Sequence, residues 1–156
     1  MINVRLQNMA MALRLFYRSG FSKTISFRNN RFVRRTNCFH SYLKGEKVAV
    51  RLANAGDFDE VLKLSKKMED TFDYVPYRFH KWLTEPNRIN IVAEKGSKVV
   101  GFMGMSVVDG EESLVIEGGR VDPNHRNNGV IALIMSFGFE LTRQKFPKVV
   151  RTRYTV

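Results

Sequence analysis

The segment with the clearest chemical pattern is residues 121–131, where a run typical of a strand is followed by one typical of a helix. A helix that opens directly after a strand leaves its first backbone N–H groups without partners, and the helix dipole makes that end attractive to anions. Gly129 would let the main chain approach an anion closely, and Arg126 adds a positive charge. The pattern predicts a diphosphate-binding loop, although a glycine that only relieves a tight turn explains the same residues. The loop residues are Arg126, Asn127, Asn128, Gly129, Val130 and Ile131.

The elements that must position this loop are predicted from hydrophobic periodicity. Strand-like runs cover residues 48–53, 89–94, 99–108 and 114–121, the last with a break at Gly118 and Gly119, and a further strand begins near Val150. Helical spacing covers residues 57 to about 71, a short stretch between Pro76 and Pro86, and residues 130 to about 145. The predicted order is β-α-α-β-β-β-α-β, with the three middle strands in an antiparallel meander.

The composition fits one globular domain preceded by a basic arm. The chain has 156 residues, of which 44% are apolar, and a net charge of +11. Residues 1–47 hold ten Lys or Arg and one Glu, so this arm carries most of the charge. Its acid-poor amphipathic pattern is typical of a mitochondrial transit peptide; a disordered basic tail and a nucleic-acid-binding arm are the alternatives. We therefore expect a cytoplasmic protein, or a mitochondrial one if the arm is a transit peptide, and no nucleic-acid partner.

Several kinds of site are not expected. The single cysteine, Cys38, excludes an intramolecular disulfide and a cysteine-rich metal site. No apolar run approaches the roughly 20 residues that a membrane-spanning helix requires. The sequence therefore predicts neither a metal site nor a transmembrane segment, and it leaves the oligomeric state open.

The loop and the order of elements together resemble the GNAT family of N-acetyltransferases. The coenzyme A loop of that family reads Arg/Gln-x-x-Gly-x-Gly/Ala after a Val-x-Pro-like stretch, and Val121-x-Pro123 and Arg126-x-x-Gly129 match it. Ile131 departs from the pattern, because the family prefers Gly or Ala there; its side chain would either crowd the phosphates or point back into the core. The resemblance implies an α/β fold with a mixed central sheet flanked by helices, and acetyl-CoA as co-substrate.

A second resemblance covers a longer run of residues. Residues 73–83, followed by Pro86 and Arg88, are similar to the DY-x-P-x-R-[FY]-H-x-W-L signature of the histidine N-acetyltransferase-like subfamily, and residues 117–123 are similar to its fourth strand and loop. This implies acetyl transfer to the α-amine of histidine or a related small amino acid, so the expected partner is a small-molecule amine. The alternatives are acetylation of another primary amine and a non-catalytic GNAT-like module that binds acyl-CoA.

The resemblance also suggests roles near the reacting groups. Glu117, in the strand before the loop, is the candidate general base, acting through water, although a strand carboxylate paired with Arg120 explains it equally well. The backbone amide of Val121 or Asp122 would donate to the thioester carbonyl of the cofactor.

Three further residues fall in the region that covers the acceptor pocket in this family. They are Tyr74, Arg78 and His80, and Arg78 could pair with the carboxylate of an amino acid. The alternative is structural: Arg78 and His80 would brace the short helix, and Tyr74 would pack in the core.

The family has further elements after its fifth strand, including a helix whose tyrosine acts as general acid. Because the sequence ends at Val156, residues 48–156 are expected to form a GNAT domain that is incomplete after the fifth strand, with an unpaired sheet edge. Tyr154 lies on a predicted strand, so the role of general acid is not transferred to it.

Overall fold

The computed structural model of the chain describes residues 3–5, 38–43, 45–66 and 73–154. The strands are β1 (Asn3–Arg5), β2 (Cys38–Leu43), β3 (Glu46–Leu52), β4 (Arg88–Lys95), β5 (Lys98–Val108), β6 (Ser113–Val121) and β7 (Arg151–Tyr154). The helices are α1 (Phe58–Lys66), α2 (Val75–Thr84) and α3 (Val130–Lys145), and single 3-10 turns span Ala55–Asp57 and Pro123–His125. Among the described residues, none of these helices has the length and hydropathy of a membrane-spanning segment.

The described strands form one mixed sheet in the order β1-β7-β6-β5-β4-β3-β2. Neighbours from β2 to β6 are antiparallel, as are β1 and β7, whereas β6 and β7 are parallel. Antiparallel strands can be joined by tight turns, but parallel strands need a long crossover, which α3 supplies between β6 and β7. The predicted α/β fold, with its mixed sheet and central meander, is confirmed.

Helices cover both faces of the sheet. α3 packs on one face, where Ile91 and Met105 are fully buried in the larger core cluster. α1 and α2 cover the other face, where Phe79 and Phe102 belong to a second buried cluster. Strands buried on both faces explain why the apolar runs of β4 and β5 are almost continuous rather than alternating.

A glycine in β5 determines how closely α3 approaches the sheet. A Cβ added to Gly101 would lie 2.9 Å from side-chain atoms of both Val130 and Ile134. Because Gly101 has no side chain, the first turns of α3 rest directly on β5. The start of α3 is therefore held at a fixed place at one end of the sheet.

The helices lie where periodicity predicts them. α3 spans the predicted residues, and α2 begins one residue before Pro76 and ends before Pro86. α1 is described as far as Lys66, and the remainder of the predicted first helix lies outside the described residues. β6 continues through Gly118 and Gly119, where the sequence predicts a break, because a register shift in its pairing with β5 absorbs the glycines.

The basic arm contributes strands that periodicity does not predict. β2 pairs with β3 along its whole length, from Cys38 opposite Arg51 to Leu43 opposite Glu46. The expected domain boundary at residue 48 therefore falls inside β3, and the sheet extends ten residues further toward the N-terminus. β2 was missed because few of its side chains face the core. Residues 6–37 lie outside the described residues. They make up most of the segment that the sequence analysis interprets as a transit peptide or a basic tail.

The outer edge of β7 is paired where the sequence predicts an open edge. β1 lies antiparallel to it, with Asn3 opposite Arg153 and Arg5 opposite Arg151. The expectation of an unpaired edge at this position is therefore wrong for residues 151–153. Pairing between two ends of the chain has no local sequence signal.

A charged cluster fixes the start of α1. The Asn54 side chain accepts from the N–H of Gly56 at 2.8 Å, and the Asp57 carboxylate accepts from the N–H of Asn54 at 2.8 Å. Arg51 donates to both Asp57 oxygens, at 2.8 and 2.6 Å, and to Glu94 on β4. Burial acts to raise the pKa of Asp57, but Arg51 and the Asn54 N–H outweigh it and hold this pKa below its usual value.

Replacing Asp57 by Asn should lower the free energy of unfolding at pH 7 by about 2 kcal/mol, because Arg51 loses one of its two carboxylate partners. Because folding lowers the pKa of Asp57, this contribution is fully present above about pH 4, the pKa of Asp in an unfolded chain. It is lost as the pH falls through the pKa of Asp57 in the folded protein. Urea unfolding at pH 7 and near pH 3 measures both effects. Asp59→Asn, at an exposed position in the first turn of α1, is the matched control; equal losses for the two variants at pH 7 would contradict the prediction.

Candidate active site

The loop between β6 and α3 leaves main-chain donors available at the start of the helix. Gly129 precedes α3 with a φ of +83°, in the left-handed region that favours glycine, and no side chain caps the helix. The first hydrogen bond of α3 runs from the N–H of Leu133 to the carbonyl of Gly129, at 3.0 Å. The amides of residues 130–132 therefore have no acceptor within the helix. Arg126 and Asn127 are exposed on the same loop, and Asn128 is half-buried.

The side chain of Ile131 does not occupy the loop. It packs against the core cluster beneath α3, and its Cδ1 lies 3.7 Å from where a Cβ of Gly119 would be. Of the two possibilities that the sequence leaves open, Ile131 therefore points back toward the core. The space in front of the α3 amides is not filled by this residue.

The two backbone amides proposed as thioester donors have different environments. The N–H of Asp122 donates to the carbonyl of Val100 at 2.9 Å, so it is already used within the sheet. In an antiparallel pair, successive residues point their N–H and C=O groups in opposite directions. The N–H and C=O groups of Val121 therefore face away from β5. The Val121 carbonyl accepts from Nε of Arg126 at 3.4 Å. The Asp122 alternative is thus wrong, and Val121 has the amide that faces the β7 side.

The edge of β6 is open beyond Ile116. β7 pairs with β6 from Ser113 opposite Arg151 to Ile116 opposite Tyr154. Among the described residues, the stretch 117–121 of β6 has a strand neighbour only on the β5 side. We call residues 117–121 the open edge of β6. At its start, β6 has one more residue than β5, and Gly118 takes a φ of +64° in this bulge.

Glu117 is the first residue of the open edge, and its carboxylate is held by two donors. Nη2 of Arg88 lies 2.5 Å from its Oε1, and the hydroxyl of Ser106 lies 3.2 Å from the same oxygen. The Glu117 side chain is 18% exposed, so it is accessible but not freely solvated. The predicted alternative of a pair with Arg120 is wrong, because Arg120 binds elsewhere.

Arg120 joins the open edge to the start of α2. Its Nε donates to Asp73 at 3.2 Å, its Nη2 also donates to Asp73, and its Nη1 donates to the carbonyl of Gly118 at 2.6 Å. Burial acts to raise the pKa of Asp73, but the Ser65 hydroxyl, the Arg120 guanidinium and the Val75 N–H outweigh it and lower this pKa. This nearly buried ion pair holds α2 against the bulge.

The three predicted acceptor-pocket residues are not brought to one place. Tyr74 is 38% exposed, and its ring lies 6.0 Å from that of Trp82 and 5.9 Å from the guanidinium of Arg120. Arg78 and His80 lie at exposed positions of α2, and the His80 ring packs 4.6 Å from that of Phe58. Tyr74 therefore borders the site, whereas Arg78 and His80 face outward from it.

Two residues of the site were missed by sequence reasoning. Arg88 stands within the stretch that resembles the subfamily signature, and Ser106 lies on β5, but neither carries a motif that points to Glu117. Arg88 and Glu117 are 29 residues apart in the chain. They meet because Arg88 pairs with Ser106 between β4 and β5, and Glu117 pairs with Gly104 between β5 and β6.

Comparison with protein families agrees with this geometry. The model of the acetyltransferase (GNAT) family matches residues 57–151, which contain the loop, the open edge of β6 and α2. This match covers more than half of the chain. The chain belongs to the acetyltransferase (GNAT) family.

Curated relatives match over the same region. The chain is 38% identical over 104 residues to the histidine N-acetyltransferase of Scomber australasicus, an alignment that covers 67% of this chain and 31% of that protein. It is 34% identical over 104 residues to the probable N-acetyltransferase 16 of Homo sapiens, with 67% and 28% covered. The chain thus spans about a third of the length of the curated relatives it matches.

Solved structures share the fold at low sequence identity. An aminoglycoside 6'-N-acetyltransferase from Acinetobacter haemolyticus superposes with a TM-score of 0.56 at 20% identity, covering 69% of this chain and 78% of that one. An aminoglycoside 6'-N-acetyltransferase complexed with coenzyme A superposes with a TM-score of 0.53 at 17% identity, covering 61% and 55%. These likenesses establish the fold.

Gly118→Ala tests the bulge at the open edge. A Cβ there would lie 2.8 Å from Cγ2 of Val75, in addition to the strain of a positive φ. We expect a loss of about 2 to 3 kcal/mol in the free energy of unfolding, measured in urea. Gly110→Ala is the matched control, since Gly110 has the same φ of +64° but open space around its Cβ, and it should cost about 1 kcal/mol. Equal losses would show that Val75 does not constrain the bulge.

Proposed function

We propose that this chain carries the acetyl-CoA-binding part of an N-acetyltransferase, which transfers an acetyl group to the amine of a small amino acid. The observation that supports this most directly is the uncapped start of α3 beside the open edge of β6. Within the described residues, both features offer main-chain donors without a partner, and both lie at the carboxyl end of β6. A cofactor with a diphosphate and a chain of amide groups needs donors of both kinds.

The residues at the loop fit a diphosphate. The amides of residues 130–132 point outward along the axis of α3, at the end where the helix dipole is positive. Gly129 leaves the approach free of a side chain, and Arg126 is exposed beside it. Since Ile131 packs toward the core, the departure from the family pattern leaves the approach open.

The acceptor reaction needs a base, because the α-amine of an amino acid is mostly protonated at pH 7. The neutral nitrogen would attack the thioester carbonyl, forming the C–N bond while the C–S bond breaks and the thiolate leaves. Glu117 would accept the proton that the nitrogen loses, through water, and the amide of Val121 would donate to the carbonyl oxygen.

The nature of the acceptor is suggested by the relatives. Three curated proteins similar to this chain are named histidine N-acetyltransferase. The stretch that resembles this subfamily, residues 73–83, forms α2 and its start, which Arg120 ties to the open edge of β6. We therefore propose histidine as the first acceptor to test, ahead of other amino acids and other primary amines.

Gly129→Asp tests the cofactor site. The new carboxylate would lie beside the α3 amides and repel a diphosphate, so we expect acetyl-CoA affinity to fall by at least about tenfold in isothermal titration. Gly110→Asp is the matched control, because Gly110 also has a positive φ but lies in the turn between β5 and β6. Saturable binding that Gly129→Asp leaves unchanged would refute this cofactor site, and no binding by the unaltered chain would refute the function.

Glu117→Gln tests the base. We expect kcat with histidine to fall by about a hundredfold, because an amide cannot accept the proton, while the affinity for acetyl-CoA stays unchanged. Glu140→Gln, at a half-buried position near the C-terminal end of α3, is the control. Binding of acetyl-CoA without turnover on any amine would instead favour the non-catalytic module. Faster turnover with another amino acid would change the acceptor but not the reaction.

A further inference from the structure

Arg88 is held more firmly than an ordinary strand arginine. Its Nε donates to Glu85 at 2.8 Å, its Nη2 donates to Glu117 at 2.5 Å, and its guanidinium carbon lies 3.9 Å from the centre of the Trp82 ring. Its side chain is only 8% exposed. Trp82 is itself buried, and its main-chain carbonyl accepts from the side-chain amide of Asn90 at 2.8 Å. The guanidinium is therefore fixed in both position and orientation.

This arrangement determines which oxygen of Glu117 is available. Both donors, Arg88 and Ser106, bind Oε1. Among the described residues, no hydrogen bond reaches Oε2. A free carboxylate rotates and presents either oxygen, but here one oxygen is occupied from two directions. The other oxygen is left for a water or an amine at the open edge of β6.

A glycine opposite Glu117 makes room for the guanidinium. Gly104 pairs with Glu117 across β5 and β6. A Cβ on Gly104 would lie 3.3 Å from Nη1 of Arg88 and 3.2 Å from the Trp82 ring. A Cβ at this position would require the ring or the guanidinium to shift by a few tenths of an ångström. Gly104 thus favours the close stacking of Arg88 on Trp82.

We propose that Arg88 is a positioning residue for acyl transfer: it holds Oε1 of Glu117 so that Oε2 faces the acceptor amine. The proposal rests on the function proposed above. Glu85 and Glu117 together carry two negative charges against the single positive charge of Arg88. The cluster therefore keeps one net negative charge, which attracts an ammonium acceptor while Arg88 orients the base.

Arg88→Lys is the first test. An ammonium group cannot reproduce the fork that contacts Glu85 and Glu117 together. We expect kcat with histidine to fall by about tenfold to a hundredfold, with the KM for acetyl-CoA changed less than about twofold. Arg51→Lys is the matched control, because Arg51 also bridges two carboxylates, Asp57 and Glu94, outside the site. It should lower the melting temperature and leave kcat unchanged. Equal effects of the two variants on kcat would overturn the proposal.

Chemical rescue separates positioning from packing. Arg88→Ala leaves a space beside Trp82 into which a guanidinium ion fits, so millimolar guanidinium chloride should restore part of the lost turnover in a saturable way. The same addition should not affect Arg51→Lys or the unaltered chain. Activity that guanidinium fails to restore in Arg88→Ala, although the variant is folded, would contradict the role.

A measurement without turnover keeps this proposal separate from the proposed function. Melting temperatures of Arg88→Met, Glu117→Gln and the double variant form a cycle. If Arg88 orients Glu117, the double variant should lose less than the two single losses together, because each single change already removes the Arg88–Glu117 ion pair. Additive losses would refute the contact. The losses show whether Arg88 and Glu117 interact, and turnover shows whether the chain is an acetyltransferase. Coupled losses in a chain that acetylates no amine would support the contact but refute both the proposed function and the positioning role.

Discussion

The parallel pairing of β6 with β7 is the constraint on which the rest of the structure depends. Two parallel neighbours cannot be joined by a tight turn, so the chain must cross over the sheet, and α3 is that crossover. The helix consequently begins at the carboxyl end of β6. Its unpaired amides and the open edge of the strand are therefore neighbours for topological reasons. The glycine at residue 101, which lets α3 rest on β5, keeps this start in place.

β6 also joins the two halves of the site. On the α2 side, two arginines bind it: Arg120 ties the bulge to Asp73, and Arg88 holds Glu117. Charged groups that are mostly buried are tolerated only when paired, so these ion pairs position α2 as well as stabilise it. On the α3 side, Ile116 and Tyr154 pack into the apolar core, and burial raises the pKa of the Tyr154 phenol. The ion pairs of β6 thus lie on its α2 side.

In the proposed reaction, the substrates meet where β6 loses its second neighbour. The loop before α3 would hold the diphosphate of the cofactor, and Glu117 lies at the point where pairing with β7 ends. The only strand neighbour described there is β5, so main-chain donors such as the amide of Val121 remain available for a carbonyl. The alternation of backbone direction along an antiparallel pair decides that this amide faces away from β5, whereas that of Asp122 bonds to it.

The sequence by itself determined the order of elements from β3 onward, the limits of α3 and the glycine before it, because apolar spacing and turn chemistry depend on residues close together in the chain. It also singled out Glu117 and Arg126. Only the tertiary structure decided that Glu117 pairs with Arg88 rather than Arg120, that Ile131 points inward, and that strands from the basic arm join both edges of the sheet. These outcomes depend on strand register and on contacts between residues distant in sequence, which no local pattern encodes.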